Sequence, residues 1–232
     1  MDANRFLMQL RNRTVQEDFK LQLPITESLC REAMKTAFER EVEKNFRKYE
    51  FAIEQANVLD IIAKWLVAPV AWGLLLAGIP GTGKTTIVNT IQRIIAALQL
   101  QDPFKPTSSF EYAGLLVVTA KEVCREYVAN QRSLDKYRRT FLLALDELGN
   151  EPLEIISYGN VLTPIEDLLE YRYQRRLPTI ITTNISQQKI RENYGDRIAS
   201  RFNEMMFVVN MPSISFRDSG MAAQGVDSGV AR

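Results

Sequence analysis

The sequence predicts an α/β fold with a doubly wound parallel sheet, and three observations predict it. Five short apolar runs, LLLAG (74–78), LLVVT (115–119), FLLALD (141–146), PTIITTN (178–184) and MFVVNM (206–211), are nearly continuous rather than alternating. That is the pattern of strands buried on both faces. Segments with helical character separate the runs, and strand alternating with helix over residues 70–212 implies a parallel sheet covered by helices. A glycine-rich loop, GIPGTGKT (78–85), joins the first run to the helical stretch TTIVNTIQRIIAAL.

Each element has a local reason. Thr119-Ala-Lys-Glu122 and Thr163-Pro-Ile-Glu166 fit the capping box, with Pro164 at the first helical position. Upstream, TESLCREAMKTAFEREVEKNFRKYEF is charged and helix-periodic, so residues 1–50 are expected to form an N-terminal helical extension. Residues 51–217 are expected to form the main domain. Residues 218–232, DSGMAAQGVDSGVAR, are small and turn-forming, and are expected to be a flexible tail.

Composition excludes several classes of function. The chain has 232 residues, 46% hydrophobic and 25% charged, as in a soluble globular protein. It has no histidine, which removes Ser-His catalysis and histidine-ligated metal sites. Two cysteines, Cys30 and Cys124, do not make a disulfide framework and point to a reducing compartment. The N-terminus has no apolar core of a signal peptide, and no apolar run reaches membrane-spanning length. A cytoplasmic protein without membrane contact is the expectation. The net charge of +1 argues against a free basic surface for nucleic acid. Any such contact must be local or built by assembly.

The chemistry begins in the glycine-rich loop. GIPGTGKT fits G-x-x-x-x-G-K-[ST] in the required order of strand, loop and helix. Gly78, Ile79, Pro80, Gly81, Thr82, Gly83, Lys84, Thr85 and Thr86 are the candidate nucleotide cradle. The glycines let backbone N–H groups face an anion, and the helix start adds its positive end. Lys84 is placed to reach the β- and γ-phosphates and Thr85 to bind Mg²⁺. The third run ends in Asp146-Glu147, at the edge of an α/β sheet where ligands sit. Asp146 is read as a further Mg²⁺ ligand acting through water. Glu147 is read as the base for an attacking water; alone, DELG would read as an acidic turn. Asn184, at the tip of the fourth run, can reach the same water or can cap the next helix, a role open to Ser186 as well.

Two basic features remain. Arg197 and Arg201, in YGDRIASRF, stand four apart and so stack on one helix face. QRSLDKYRRT (131–140) and YRYQRR (171–176) mix arginine, lysine and tyrosine, a pattern shared by solvated faces and nucleic-acid contacts.

The ordered set GIPGTGKT, FLLALDELG, TIITTN and GDRIASRF resembles the AAA+ ATPases over residues 45–217. KNFRKYEFAIEQAN, YGNVLTPIEDLLEYRY and SFR at 215–217 are similar to the bacterial helicase-loader branch, the DnaC type, with IstB-type transposition helpers as close relatives. The resemblance implies a five-stranded AAA+ P-loop NTPase domain without a sizeable C-terminal lid. It implies ATP and Mg²⁺ as cofactors and an ATP-dependent homo-oligomer. Arg201 matches an arginine finger supplied to the neighbouring subunit's nucleotide, with Arg197 beside it, and Arg217 resembles a sensor arginine acting in cis. It further implies a DnaB-type replicative helicase, bound through residues 1–50, and single-stranded DNA as partners, with Lys136, Arg138 and Arg139 on the DNA backbone and Tyr137 stacking on bases. The alternatives are a helper that acts with a transposase, or an ATP-dependent binding module with negligible turnover.

Overall fold

A computed structural model describes residues 20–44, 53–105, 111–157 and 159–213. In chain order its elements are α1 (Glu27–Glu43), α2 (Ile53–Val67), β1 (Gly73–Ala77), α3 (Lys84–Leu98), β2 (Leu115–Thr119), α4 (Ala120–Ala129) and α5 (Leu134–Arg139). There follow β3 (Leu142–Leu148), β4 (Ile155–Ser157), β5 (Asn160–Leu162), α6 (Pro164–Gln174), β6 (Thr179–Thr183), α7 (Gln187–Met205) and β7 (Met206–Asn210).

All five apolar runs become strands of one sheet, in the order β2-β3-β6-β1-β7. Every pairing in it is parallel. Near-continuous apolar character has its reason in the layers. Leu74 and Leu76 of β1, Leu142 of β3 and Ile180 of β6 enter one core with α1, α2 and α3. Leu75, Leu143, Leu145 and Ile181 enter the other core with α4, α6 and α7. Alternate residues point to opposite faces and both faces are covered, so apolar residues dominate these strands and the buried polar ones, such as Thr182 and Thr183 of β6, are hydrogen-bonded.

The caps divide. Thr119 Oγ1 accepts from the Glu122 N–H at 3.1 Å and starts α4. Thr163 makes no side-chain cap bond, contrary to the capping-box expectation. Its backbone (φ −123°, ψ 70°) is off the extended conformation that aims a cap hydroxyl into the first turn. Pro164 still opens α6 in the first turn, where its missing N–H costs nothing.

A boundary at residue 50 does not separate two packing units. Leu21, Leu23 and the α1 stripe Cys30, Met34, Ala37 and Phe38 belong to the same core as Leu74 and Leu76. The Leu23 N–H donates to the Leu66 carbonyl at 2.8 Å, and Arg93 on α3 donates through Nε to Glu41 at 2.8 Å. The stripe is narrow and flanked by charge, so its burial is invisible to composition. Residues 1–19 and the tail at 218–232 lie outside the described residues.

Arg172 braces the far side of the sheet. It is fully buried, and its five donors meet five neutral acceptors. Nε donates to Thr179 Oγ1 (2.8 Å), Nη1 to the carbonyls of Tyr137 (2.9 Å) and Thr140 (2.8 Å), and Nη2 to those of Phe141 (3.1 Å) and Pro178 (2.7 Å). Desolvation by burial pulls its pKa below the ordinary arginine value. YRYQRR is therefore not one surface face. Arg175 lies over the Tyr171 ring and Arg176 over Trp72, while Arg172 ties α5, α6, β3 and β6 together.

Candidate functional site

Parallel pairing brings the strand ends to one edge. Ala77 pairs with Thr183, and Thr119 with Asp146, so the P-loop, the acidic pair and the tip of β6 share that edge. Gly81 (φ 87°) and Gly83 (φ 89°) hold the loop in left-handed backbone. Gly78 is needed for size: a Cβ there would stand 2.7 Å from Met211 Cβ. Gly83 leads into α3 without a capping side chain, which leaves the first-turn N–H groups to an anion. Beside Gly83 stand Gln55 of α2 and Phe38 of α1, so both helices wall the loop. Lys84 Nζ donates to the carbonyls of Gly78 (2.6 Å) and Ile79 (2.8 Å), folded along the loop it is expected to serve.

Thr85 and Asp146 meet. Thr85 Oγ1 donates to Asp146 Oδ2 at 2.9 Å. Thr182 Oγ1 donates to Asp146 Oδ1 at 2.5 Å and accepts the Glu147 N–H at 2.9 Å. A hydroxyl and a carboxylate at this spacing are the hard oxygen donors that suit Mg²⁺, so the residues fit that ion. Thr182 is a site residue that pattern reading missed. A β-branched residue in a strand reads as a strand former, and its hydroxyl gives no separate signal.

Glu147 owes its direction to an irregular strand. The β3–β6 register shifts between Leu145 and Leu148: Leu145 pairs with Ile181, and Leu148 with Thr183. Glu147 itself has φ 58°, a left-handed conformation that costs a non-glycine residue about 1–2 kcal/mol. The bulge turns its side chain into solvent beside the buried Asp146. Strain at such a point is characteristic of functional sites. Behind the bulge, the buried Glu151 accepts from the Gly149 N–H at 2.8 Å and from the Tyr194 hydroxyl. Asn184 is exposed at the neighbouring strand tip. Ser186 caps α7, accepting from the Lys189 N–H at 3.2 Å, so Asn184 is not needed as the cap.

Arg197 and Arg201 do not join this group. Helix α7 starts at the tip of β6, breaks at Gly195 (φ 77°) and ends at Met205. Met206 pairs with Gly73, the first residue of β1, so Arg201 lies toward the edge opposite the P-loop. Both arginines donate to Glu170 Oε1 on α6, Arg201 at 3.3 Å. The Arg201 guanidinium lies 4.7 Å over the Tyr173 ring.

The basic residues of α5 are also at the far edge, since α5 leads into the start of β3. Tyr137 is corrected from a stacking residue to a core residue. It is 1% exposed, and its hydroxyl donates to Glu126 Oε2 at 2.7 Å. Lys136 and Arg139 are exposed, and Lys136 pairs with Glu126 at 2.8 Å. The Arg138 guanidinium lies over the Tyr171 ring. Arg217 lies outside the described residues.

Among the described residues, no helix is long and apolar enough to cross a membrane. The sequence matches no protein-family profile and no curated protein. Solved structures do match. A structure of DnaI is 19% identical, with a TM-score of 0.53 over 85% of this chain and 100% of its own. A DnaC helicase loader is 20% identical, with a TM-score of 0.54 over 71% of this chain and 94% of its own. AMPPCP-bound DnaA from Aquifex aeolicus is 14% identical, with a TM-score of 0.51 over 76% of this chain and 52% of its own. With its strand order and its P-loop at the end of β1, the chain has the AAA+ P-loop NTPase fold, the fold seen in the DnaC helicase loader.

Proposed function

We propose that this chain is an ATP-hydrolysing switch of the helicase-loader type, which binds a DnaB-type replicative helicase and single-stranded DNA according to its ATP state. The observation that carries the reading is the contact of Thr85 Oγ1 with Asp146 at 2.9 Å, with Glu147 turned outward one residue on. Gly78–Thr86 cradle the phosphates, and Lys84 leaves the loop carbonyls for them. Thr85 and, through water, Asp146 would hold Mg²⁺, which would offset phosphate charge and polarise the γ-phosphoryl group. Glu147 takes the proton of the attacking water, and Asn184 orients that water from the next strand.

Arg201 acts in trans, with Arg197 beside it, on ATP held by a second copy in an oligomer. The topology supports this: Arg201 lies toward the edge opposite its own P-loop. The exposed Lys136 and Arg139, with Arg138, contact the DNA backbone, and a row of subunits adds these patches together. Arg217 is kept as a cis contact to the γ-phosphate. The likeness to the DnaC helicase loader supports the choice of partner.

Glu147→Gln tests the reading. The variant should bind ATP as the wild type does, hydrolyse it about 10²–10⁴-fold more slowly, and retain a replicative helicase in the presence of ATP. Near-normal turnover overturns Glu147 as the base. A transposase retained in place of the helicase overturns the partner.

A further inference from the structure

We propose that Glu170 is the positioning residue for the arginine pair, holding Arg197 and Arg201 together for the phosphate of a nucleotide bound by a second copy of this chain. The inference rests on the trans reading of Arg201 and adds a residue which that reading did not use. One oxygen, Glu170 Oε1, accepts from Arg201 Nη2 at 3.3 Å, from Arg197 Nη2, and from Gln174 Nε2 at 3.0 Å. Two guanidinium groups a helical turn apart repel each other, and a carboxylate between them offsets the repulsion. One carboxylate against two cations leaves the trio with a net positive charge, ready for an anion.

Arg201 is only half used by its own chain. Its side chain is 14% exposed, and Nη1 is buried without a hydrogen-bond partner. Nη1 is covered by its own chain, so an incoming phosphate would meet the remaining, partly exposed edge of the guanidinium. The seat beneath it is built. Tyr173 lies under the guanidinium, donates its hydroxyl to Glu204 Oε2 at 2.5 Å, and packs against Trp72 with ring centroids 6.2 Å apart. Arg197 is the open arm, its side chain 67% exposed. Glu170 thus joins one seated and one solvent-facing arginine in a single cationic unit, which suits a phosphate with several oxygens. An ordinary exposed ion pair would contribute little and would carry no such direction.

The test uses full-length chains and the side specificity of an interface. Lys84→Ala supplies arginines but no working P-loop, and Arg201→Ala supplies a P-loop but no finger. Their mixture regains ATP hydrolysis where the first serves the second. Adding Glu170→Gln to the Lys84→Ala chain should lower the kcat of the mixture at least about tenfold and leave KM for ATP unchanged. Adding it to the Arg201→Ala chain should leave the mixture as active as before. Equal loss in both placements marks a structural role and overturns the proposal, as does no loss in either. If the parent mixture stays inactive while the chains co-assemble, the trans reading itself fails and the role of Glu170 falls with it. Melting curves of both double variants confirm that each is folded.

Discussion

Thr85 on α3 and Asp146 on β3 stand 61 residues apart in sequence, and the threonine hydroxyl lies 2.9 Å from the carboxylate. The contact closes the P-loop onto the strand-tip acid. It exists because β3 lies next to β6, and β6 next to β1, with all three pointing the same way. The site is therefore a property of sheet order as much as of the loop.

Lys84→Ala should abolish ATP binding. Nζ is the cation inside the loop, and it now rests on the Gly78 and Ile79 carbonyls, placed to swing onto phosphate. Titration with a fluorescent ATP analogue checks this; affinity within a few-fold of wild type refutes the assignment.

Thr182→Val keeps shape and removes the hydroxyl that joins Asp146 to the Glu147 N–H. Stability should fall by about 1–3 kcal/mol, the cost of buried partners left unmade. ATP turnover should fall with nucleotide affinity largely kept, because the base loses its backbone anchor. Chemical denaturation and steady-state kinetics read the two effects separately, and an unchanged kcat would show that the anchor does not position Glu147.

Deleting residues 1–50 should unfold or strongly destabilise the domain, because it strips Leu21, Leu23, Cys30, Met34 and Phe38 from the core that β1 shares. A stable, ATP-binding protein that starts at residue 51 would show that α1 is dispensable.

Arg172→Met leaves four backbone carbonyls and the Thr179 hydroxyl without their donor. The loss should be at least about 3 kcal/mol, read as a shift of the denaturant midpoint. A shift below 1 kcal/mol would mean that water or a rearranged backbone replaces the guanidinium.

Features carried by near neighbours are legible in the chain's order of residues alone. Continuous apolar runs marked the five parallel strands, since a strand covered on both faces favours apolar residues on each of them. The P-loop was legible because its glycines, lysine and threonine work within one turn of chain. Asp146-Glu147 was legible as an acidic pair at a strand tip. Tertiary structure decided the rest. The burial of α1 depends on a narrow stripe meeting α2 and α3, and composition averages that stripe away. Tyr137 reads as surface among basic residues, yet the packing of α5 turns it inward onto Glu126. Thr182, Arg172 and Glu170 take their roles from partners on other elements. Glu170 is 31 residues from Arg201, and Thr182 is 36 from Asp146. Local periodicity records which face of an element is apolar; which residue lies opposite follows only from the order in which strands and helices pack.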